Sequence, residues 1–199
     1  MVCFPVFQTK ARVPAMQVPV RRLQPQSSRM RLEPAPSPIK ELSDPAPLDL
    51  TYQRERLDKL LREGELLPLL KEHFNETDPD RDHTSVDVDW DYYLSADRLG
   101  RLVVYTARDG AALVGYVFTI IGPHHHKQEV RTGFVTMYWL HPANRIGLAG
   151  YKMLRENESL LKNLGAQKVL VAEMLGMGTN VLFKRMGYVA EETLYGKWL

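Results

Sequence analysis

The stretch His141-Pro142-Ala143-Asn144-Arg145-Ile146-Gly147-Leu148-Ala149-Gly150 holds most of the legible chemistry in this 199-residue sequence. It joins a run with strand character, Arg131 to Leu140, to a run with helical spacing from about Arg145 to Leu164. The first amides of a helix have no partner inside it and sit at the positive end of its dipole. A phosphate or pyrophosphate is a natural ligand for such a turn. Gly147, Ala149 and Gly150 carry little or no side chain to hold an anion away from the backbone. Two other phosphate motifs are missing. There is no GxxxxGK[ST] loop, and no GxGxxG followed by an acidic residue at dinucleotide-fold distance.

Side chains able to move a proton are fewer. Glu173 lies near the end of an otherwise apolar run, Lys168 to Met174. A carboxylate there is either a base whose pKa burial raises or a strand-end glutamate reaching solvent. His124, His125 and His126 occupy a turn that overhangs a cleft or is simply a polar loop; His126 is the candidate proton relay. Tyr138, Tyr188 and Tyr195 each carry a donatable proton, although aromatic residues in strands mostly serve the core. Tyr188 is the candidate acid. No metal site is expected, because three adjacent histidines in a tight turn cannot all face one ion. The single cysteine, Cys3, excludes a Cys-rich zinc site and any disulfide within the chain.

These residues need a scaffold, and the chain's texture supplies one. Residues 1–50 hold nine of the thirteen prolines, which blocks helix and central strand. This segment is expected to be an extended or disordered arm. Positions 1–32 carry six basic residues and no acid, so positions 33–199 hold 20 basic and 24 acidic residues. The basic character belongs to the arm, and any nucleic-acid contact is expected only there. Prolines and charges break any signal-peptide core. No apolar run is long enough to span a bilayer, and a cytoplasmic location is expected.

After the arm, Leu57, Leu60, Leu61, Leu67 and Leu70 recur at helical spacing, with Gly64 and Pro68 splitting two short helices. Asp87 to Leu99 is expected to be a third. Strands follow at Leu102–Arg108, Ala112–Ile121 and Arg131–Leu140, the first two joined at Asp109-Gly110, a hairpin signal. Lys168–Met174 reads as a strand buried on both faces, Thr179–Met186 as a short helix, and Tyr188–Trp198 as a last strand. The expected class is α/β: a mixed, mostly antiparallel sheet with a central βαβ unit flanked by helices.

At this point the chain resembles the GNAT acetyltransferase superfamily. That family has a Q/R-x-x-G-x-G/A turn between strand and helix; here the frame reads Asn144-Arg145-Ile146-Gly147-Leu148-Ala149, with asparagine at the first position. Leu182-Phe183-Lys184-Arg185-Met186-Gly187-Tyr188 is similar to the family's L-Y-x-x-x-G-F segment. The likeness covers residues 100–199 well and 50–99 loosely, so residues 51–199 are expected to form the domain. The triple histidine and the ending Tyr195-Gly196-Lys197-Trp198 look like bacteriophage-encoded members. The resemblance implies acetyl-coenzyme A as cosubstrate, its pyrophosphate on the amides of Arg145, Ile146, Gly147, Leu148 and Ala149, with Asn144 opening the turn. It implies a main-chain amide at Trp139 or Leu140 near the thioester carbonyl. It also implies acetyl transfer to a primary amine: a protein lysine, an N-terminus or a small amine. A homodimer stays open. The family's usual acid is a tyrosine where this chain has Phe183. A binding module that has lost catalysis is therefore the alternative.

Overall fold

The structure, a computed structural model, describes residues 49–124, 126–174 and 176–198. The proline-rich arm lies outside the described residues apart from its last two positions. Leu50 is already buried in β1 (Leu50–Glu55), which pairs antiparallel with β2 (Leu102–Asp109) from Leu50↔Asp109 to Glu55↔Val104. No strand is expected here from the sequence pattern. Its six residues hold no valine or isoleucine, and pairing with β2 decides the conformation.

The leucines then form α1 (Leu57–Glu63) and α2 (Leu66–Thr77). Gly64, at φ 75°, ends α1 in the left-handed conformation. Pro68 breaks nothing; it sits in the first turn of α2, where its missing N–H costs no helical bond. Leu57, Leu60, Leu66 and Leu70 are buried, whereas Leu67 faces solvent. A third helix, α3 (Trp90–Arg98), starts where the Asp89 carboxylate accepts the Tyr92 N–H at 2.9 Å.

The sheet runs in the order β1-β2-β3-β4-β5. β2 turns into β3 (Ala112–His124) through Gly110 and Ala111, as the Asp-Gly signal predicts. β3 pairs antiparallel with β4 (Lys127–Leu140). Thr136 is an extra residue on β4: Phe118 faces Met137 while Thr119 faces Val135. This bulge reverses which face the later β4 side chains use. Met137 and Trp139 join Leu102, Val104, Tyr116 and Phe118 under α1, α2 and α3. Val135, Tyr138 and Leu140 pack on the other face, against α4 (Ala149–Asn163) and α5 (Asn180–Met186). Each fully buried side chain such as Phe118 contributes about 2 kcal/mol by its burial.

The expected βαβ unit is β4, α4 and β5 (Lys168–Val171), with β5 parallel to β4 over Thr132–Val135. The fold class is thus the expected one: mixed α/β, with a mostly antiparallel five-stranded sheet between two helical layers. Two details differ. β5 has four half-buried residues where a longer strand, buried on both faces, was expected. Residues 188–198 form no strand, and Val189, Leu194, Tyr195 and Trp198 are exposed. Glu191 pairs with Lys168, and Trp198 donates to Asp80 and stacks on His83. Glu191 and Trp198 thus hold the tail by side-chain contacts without a ladder. β5 remains the sheet's edge, which explains its half-burial.

Candidate functional site

The turn after β4 differs locally from a helix starting at Arg145. Pro142–Asn144 makes a single 3-10 turn, opened by the His141 ring nitrogen accepting the Ala143 N–H at 3.2 Å. Helix α4 begins only at Ala149. The Arg145 N–H therefore bonds the Pro142 carbonyl (3.2 Å), and the Ala149 N–H bonds that of Ile146 (3.2 Å). These two amides of the expected five are engaged inside the protein. The N–H groups of Ile146, Gly147, Leu148, Gly150 and Tyr151 make no hydrogen bond among the described residues. Five amides are thus gathered at the start of a fifteen-residue helix, an arrangement suited to an anion.

Gly147 has φ 57°, a conformation L side chains rarely adopt. A Cβ added at Gly147 or Gly150 meets nothing within 4 Å, so the turn is uncrowded at these two positions. Asn144 does not face it. Its side chain is buried and donates to the Asp109 carboxylate at 3.3 Å, tying the turn to the β2–β3 hairpin. Leu148 is exposed and Ile146 half-buried. On the opposite side of α4's first turn, the Tyr52 hydroxyl donates to the Ala149 carbonyl at 3.1 Å.

Beside the turn, β4 and β5 part. β5 pairs no further than Val135, leaving about 16 Å of β4 edge up to Leu140 without a partner strand. The bond from the His141 N–H to the Val114 carbonyl (2.7 Å) sets the alternation of the strand. Trp139 then bonds towards β3, while the amides of Tyr138 and Leu140 face the parted edge. Of the two residues expected near the thioester, Leu140 turns its amide to the parted edge and Trp139 turns its amide to β3. Gly115 fixes this strand end by close approach: a Cβ there would stand 2.7 Å from Leu140 Cδ1 and 2.9 Å from the Trp139 oxygen.

The Trp139 side chain lies on the other face of the sheet. Its indole N–H donates to Glu76 on α2 at 2.7 Å, and its ring stacks on His73 at 5.9 Å. Glu76 also holds Arg145 through both guanidinium ends at 2.6 Å. Arg145 and Trp139 bonding keep the Glu76 carboxyl at a pKa of about 2 despite partial desolvation. Nothing local in the sequence marks Glu76; it is one of several charged residues on the polar side of an amphipathic helix.

The proton-moving candidates do not gather in one place. Tyr138 spans the parting: its hydroxyl donates to Thr179 Oγ1 at 3.3 Å, and its ring packs edge-on to Phe183 at 5.6 Å. Burial raises its pKa, and the Glu173 charge adds to this. Glu173 accepts the Asn180 N–H at 2.9 Å and so caps α5 from a half-buried position. Tyr188 packs on Phe183 at 5.6 Å; burial, then the Glu158 carboxylate, pushes its pKa well up. His126 is elsewhere. It sits at the β3–β4 tip, about 40 Å along β4 from Leu140, and the structure does not bring it to the turn. Among the described residues no three His, Cys, Asp or Glu side chains converge as a metal site, and no helix is long and apolar enough to cross a membrane.

No protein-family model and no curated protein matches the sequence. Solved structures do match. An aminoglycoside acetyltransferase from an uncultured soil metagenomic sample is similar at TM-score 0.59 and 15% identity, over 75% of this chain and 97% of that one. A ribosomal-protein-alanine N-acetyltransferase from Brucella melitensis biovar Abortus gives 0.58 and 17%, over 75% and 97%. A predicted acetyltransferase from Clostridium acetobutylicum, solved with acetyl-CoA, gives 0.55 and 15%, over 74% and 95%. Nothing in these matches supports the bacteriophage likeness. The described residues, with their five-stranded sheet and parted β4 and β5, share the fold of the GNAT acetyltransferases.

Proposed function

We propose that this chain is an N-acetyltransferase that takes an acetyl group from acetyl-coenzyme A and passes it directly to a primary amine. One observation carries the reading: five unengaged amides lie around Gly147, in a turn uncrowded at Gly147 and Gly150, beside the parted ends of β4 and β5. The residues fit the cosubstrate. Ile146, Gly147, Leu148, Gly150 and Tyr151 offer N–H groups to a pyrophosphate, the helix dipole adds to them, and Gly147 and Gly150 carry no side chain to crowd them. The pantetheine arm would follow the β4 edge. When bound, acetyl-coenzyme A supplies a thioester as the acyl donor. The Leu140 amide, facing the parted edge, is the donor that would polarise its carbonyl. An attacking amine must lose its proton.

Tyr138 is the hydroxyl best placed to donate a proton at the parting, because it lies against the ring of Phe183 and within reach of Thr179. The Glu173 carboxylate is close enough to act on it electrostatically. In this reading the enzyme domain runs from β1 to the tail. The similar structures act on acceptors as different as an aminoglycoside and a ribosomal-protein alanine, so the acceptor is left as a primary amine. The experiment is thiol release from acetyl-coenzyme A across a panel of lysine peptides, N-terminal peptides, polyamines and aminoglycosides. The reading expects amine-dependent release that Tyr138→Phe slows in kcat. Tight cosubstrate binding without turnover on any amine favours the non-catalytic binding module instead.

A further inference from the structure

Arg145 is the only arginine or lysine between positions 141 and 151, and its charge is committed away from the open amides. Both ends of its guanidinium bond the Glu76 carboxylate at 2.6 Å. Its Nε donates to the Leu140 carbonyl at 2.7 Å, and its Cζ stands 5.7 Å from the centre of the Trp139 ring. Glu76 belongs to α2, which packs on the opposite face of the sheet from α4. Its carboxylate also accepts the Trp139 indole N–H at 2.7 Å. One carboxylate therefore joins the end of β4, the residue preceding the first free amide, and a helix of the other layer. Planar, paired bonds of this kind fix orientation as well as distance. The neighbouring rung repeats the pattern more loosely, with the His141 ring 3.5 Å from Glu72, one helical turn back on α2.

We propose that Glu76 is a positioning residue for the phosphate turn: through Arg145 it fixes where the free amides of Ile146 to Tyr151 point, and the anion is held by backbone rather than by the guanidinium. This rests on reading the turn as the pyrophosphate site. The proposal makes a prediction whose sign opposes simple electrostatics. Glu76 is an anion near an anion site, so Coulomb's law alone expects its neutralisation to tighten binding. Positioning expects the reverse.

The test is calorimetric titration of the full chain with coenzyme A, at low and moderate salt, for wild type, Glu76→Gln, Arg145→Gln and the double variant. Each single variant is expected to weaken binding about tenfold, as loss of a charged hydrogen-bonded pair does, and the double variant no further, because both changes cut one strap. The salt dependence of Arg145→Gln is expected to match wild type. A guanidinium that held the anion itself would instead lower that slope by about one charge, and an unchanged melting midpoint of each variant without ligand separates positioning from lost folding. Trp139→Phe, which removes only the indole donor, keeps the test open if Glu76→Gln does not fold, with an expected loss of about threefold. Wild-type binding with an equal or tighter Glu76→Gln overturns the strap alone, and so does an Arg145→Gln slope smaller by one charge. A wild type that binds no coenzyme A overturns the reading of the turn, and the strap with it.

Discussion

The two strands that part beside the turn are held very differently. The end of β4 is fixed from every side: Gly115 lets β3 approach closely, Asn144 ties the turn to Asp109, and Glu76 ties it to α2. Trp139 and Leu140 are buried on opposite faces. β5 and the residues after it are held lightly. The strand has four half-buried residues, Glu173 and Thr179 are outer contacts, and the tail from Val189 onwards exposes its apolar side chains. The half proposed to hold the anion is thus backbone anchored to a packed core. The half that would meet an acceptor is side chains on an edge. Rigid backbone suits a constant cosubstrate, and a lightly held edge suits acceptors that differ between proteins.

The largest effect expected from breaking the fixed side is at Gly147. Gly147→Glu places a bulky anion before the free amides and forces a side chain into a left-handed conformation. Acetyl-coenzyme A affinity should fall by at least about a hundredfold, measured by calorimetry.

Acid should loosen the same side. Burial holds His73, stacked under Trp139 and bonded to the Tyr116 hydroxyl at 2.7 Å, at a pKa of about 4 against 6.5 when free. The unfolded chain binds this proton first, so His73's contribution is complete above pH 6.5 and is lost as pH falls towards 4, by about 3 kcal/mol in all. Glu55 and Glu76, both held at a pKa of about 2, act in the same direction lower down, losing their contribution from about 4.5 to 2. Urea midpoints between pH 7 and pH 4 should show the first loss. A His73→Gln variant should show a flatter profile there.

A smaller effect is expected at the strand's close approach. Gly115→Ala puts a methyl against Leu140 and the Trp139 carbonyl. It should cost about 2 kcal/mol, read by denaturant unfolding, and should weaken cosubstrate binding more than acceptor binding. The smallest belongs to the light side. Leu194→Ser with Tyr195→Ser, both exposed, should change stability by no more than about 0.5 kcal/mol. A larger loss would show that the tail is structural and that the contrast is false.

The fixed side was also the more legible. The turn announces itself through small residues between a strand run and a helical run, and the Asp109-Gly110 hairpin and βαβ unit emerge from pattern. What the sequence hid were long-range choices. β1 is a strand because β2 pairs with it, not because its residues prefer strand. The Thr136 bulge, which turns Trp139 towards α2 and Leu140 towards α4, leaves no local mark. Glu76 lies 69 positions from Arg145, beyond any spacing rule. Residues 188–198 alternate weakly, and Glu191-Glu192 and Gly196 tip the balance against a strand. His126 drew attention through its type, yet its distance from the turn is set by β4's length.

The most direct test of the account is calorimetric titration of the wild-type chain with acetyl-coenzyme A beside Gly147→Glu. The account predicts micromolar binding by the wild type, weakening with salt as a phosphate contact should, and none by the variant. Equal affinities for the two proteins, or no binding to the wild type at millimolar ligand, would contradict it.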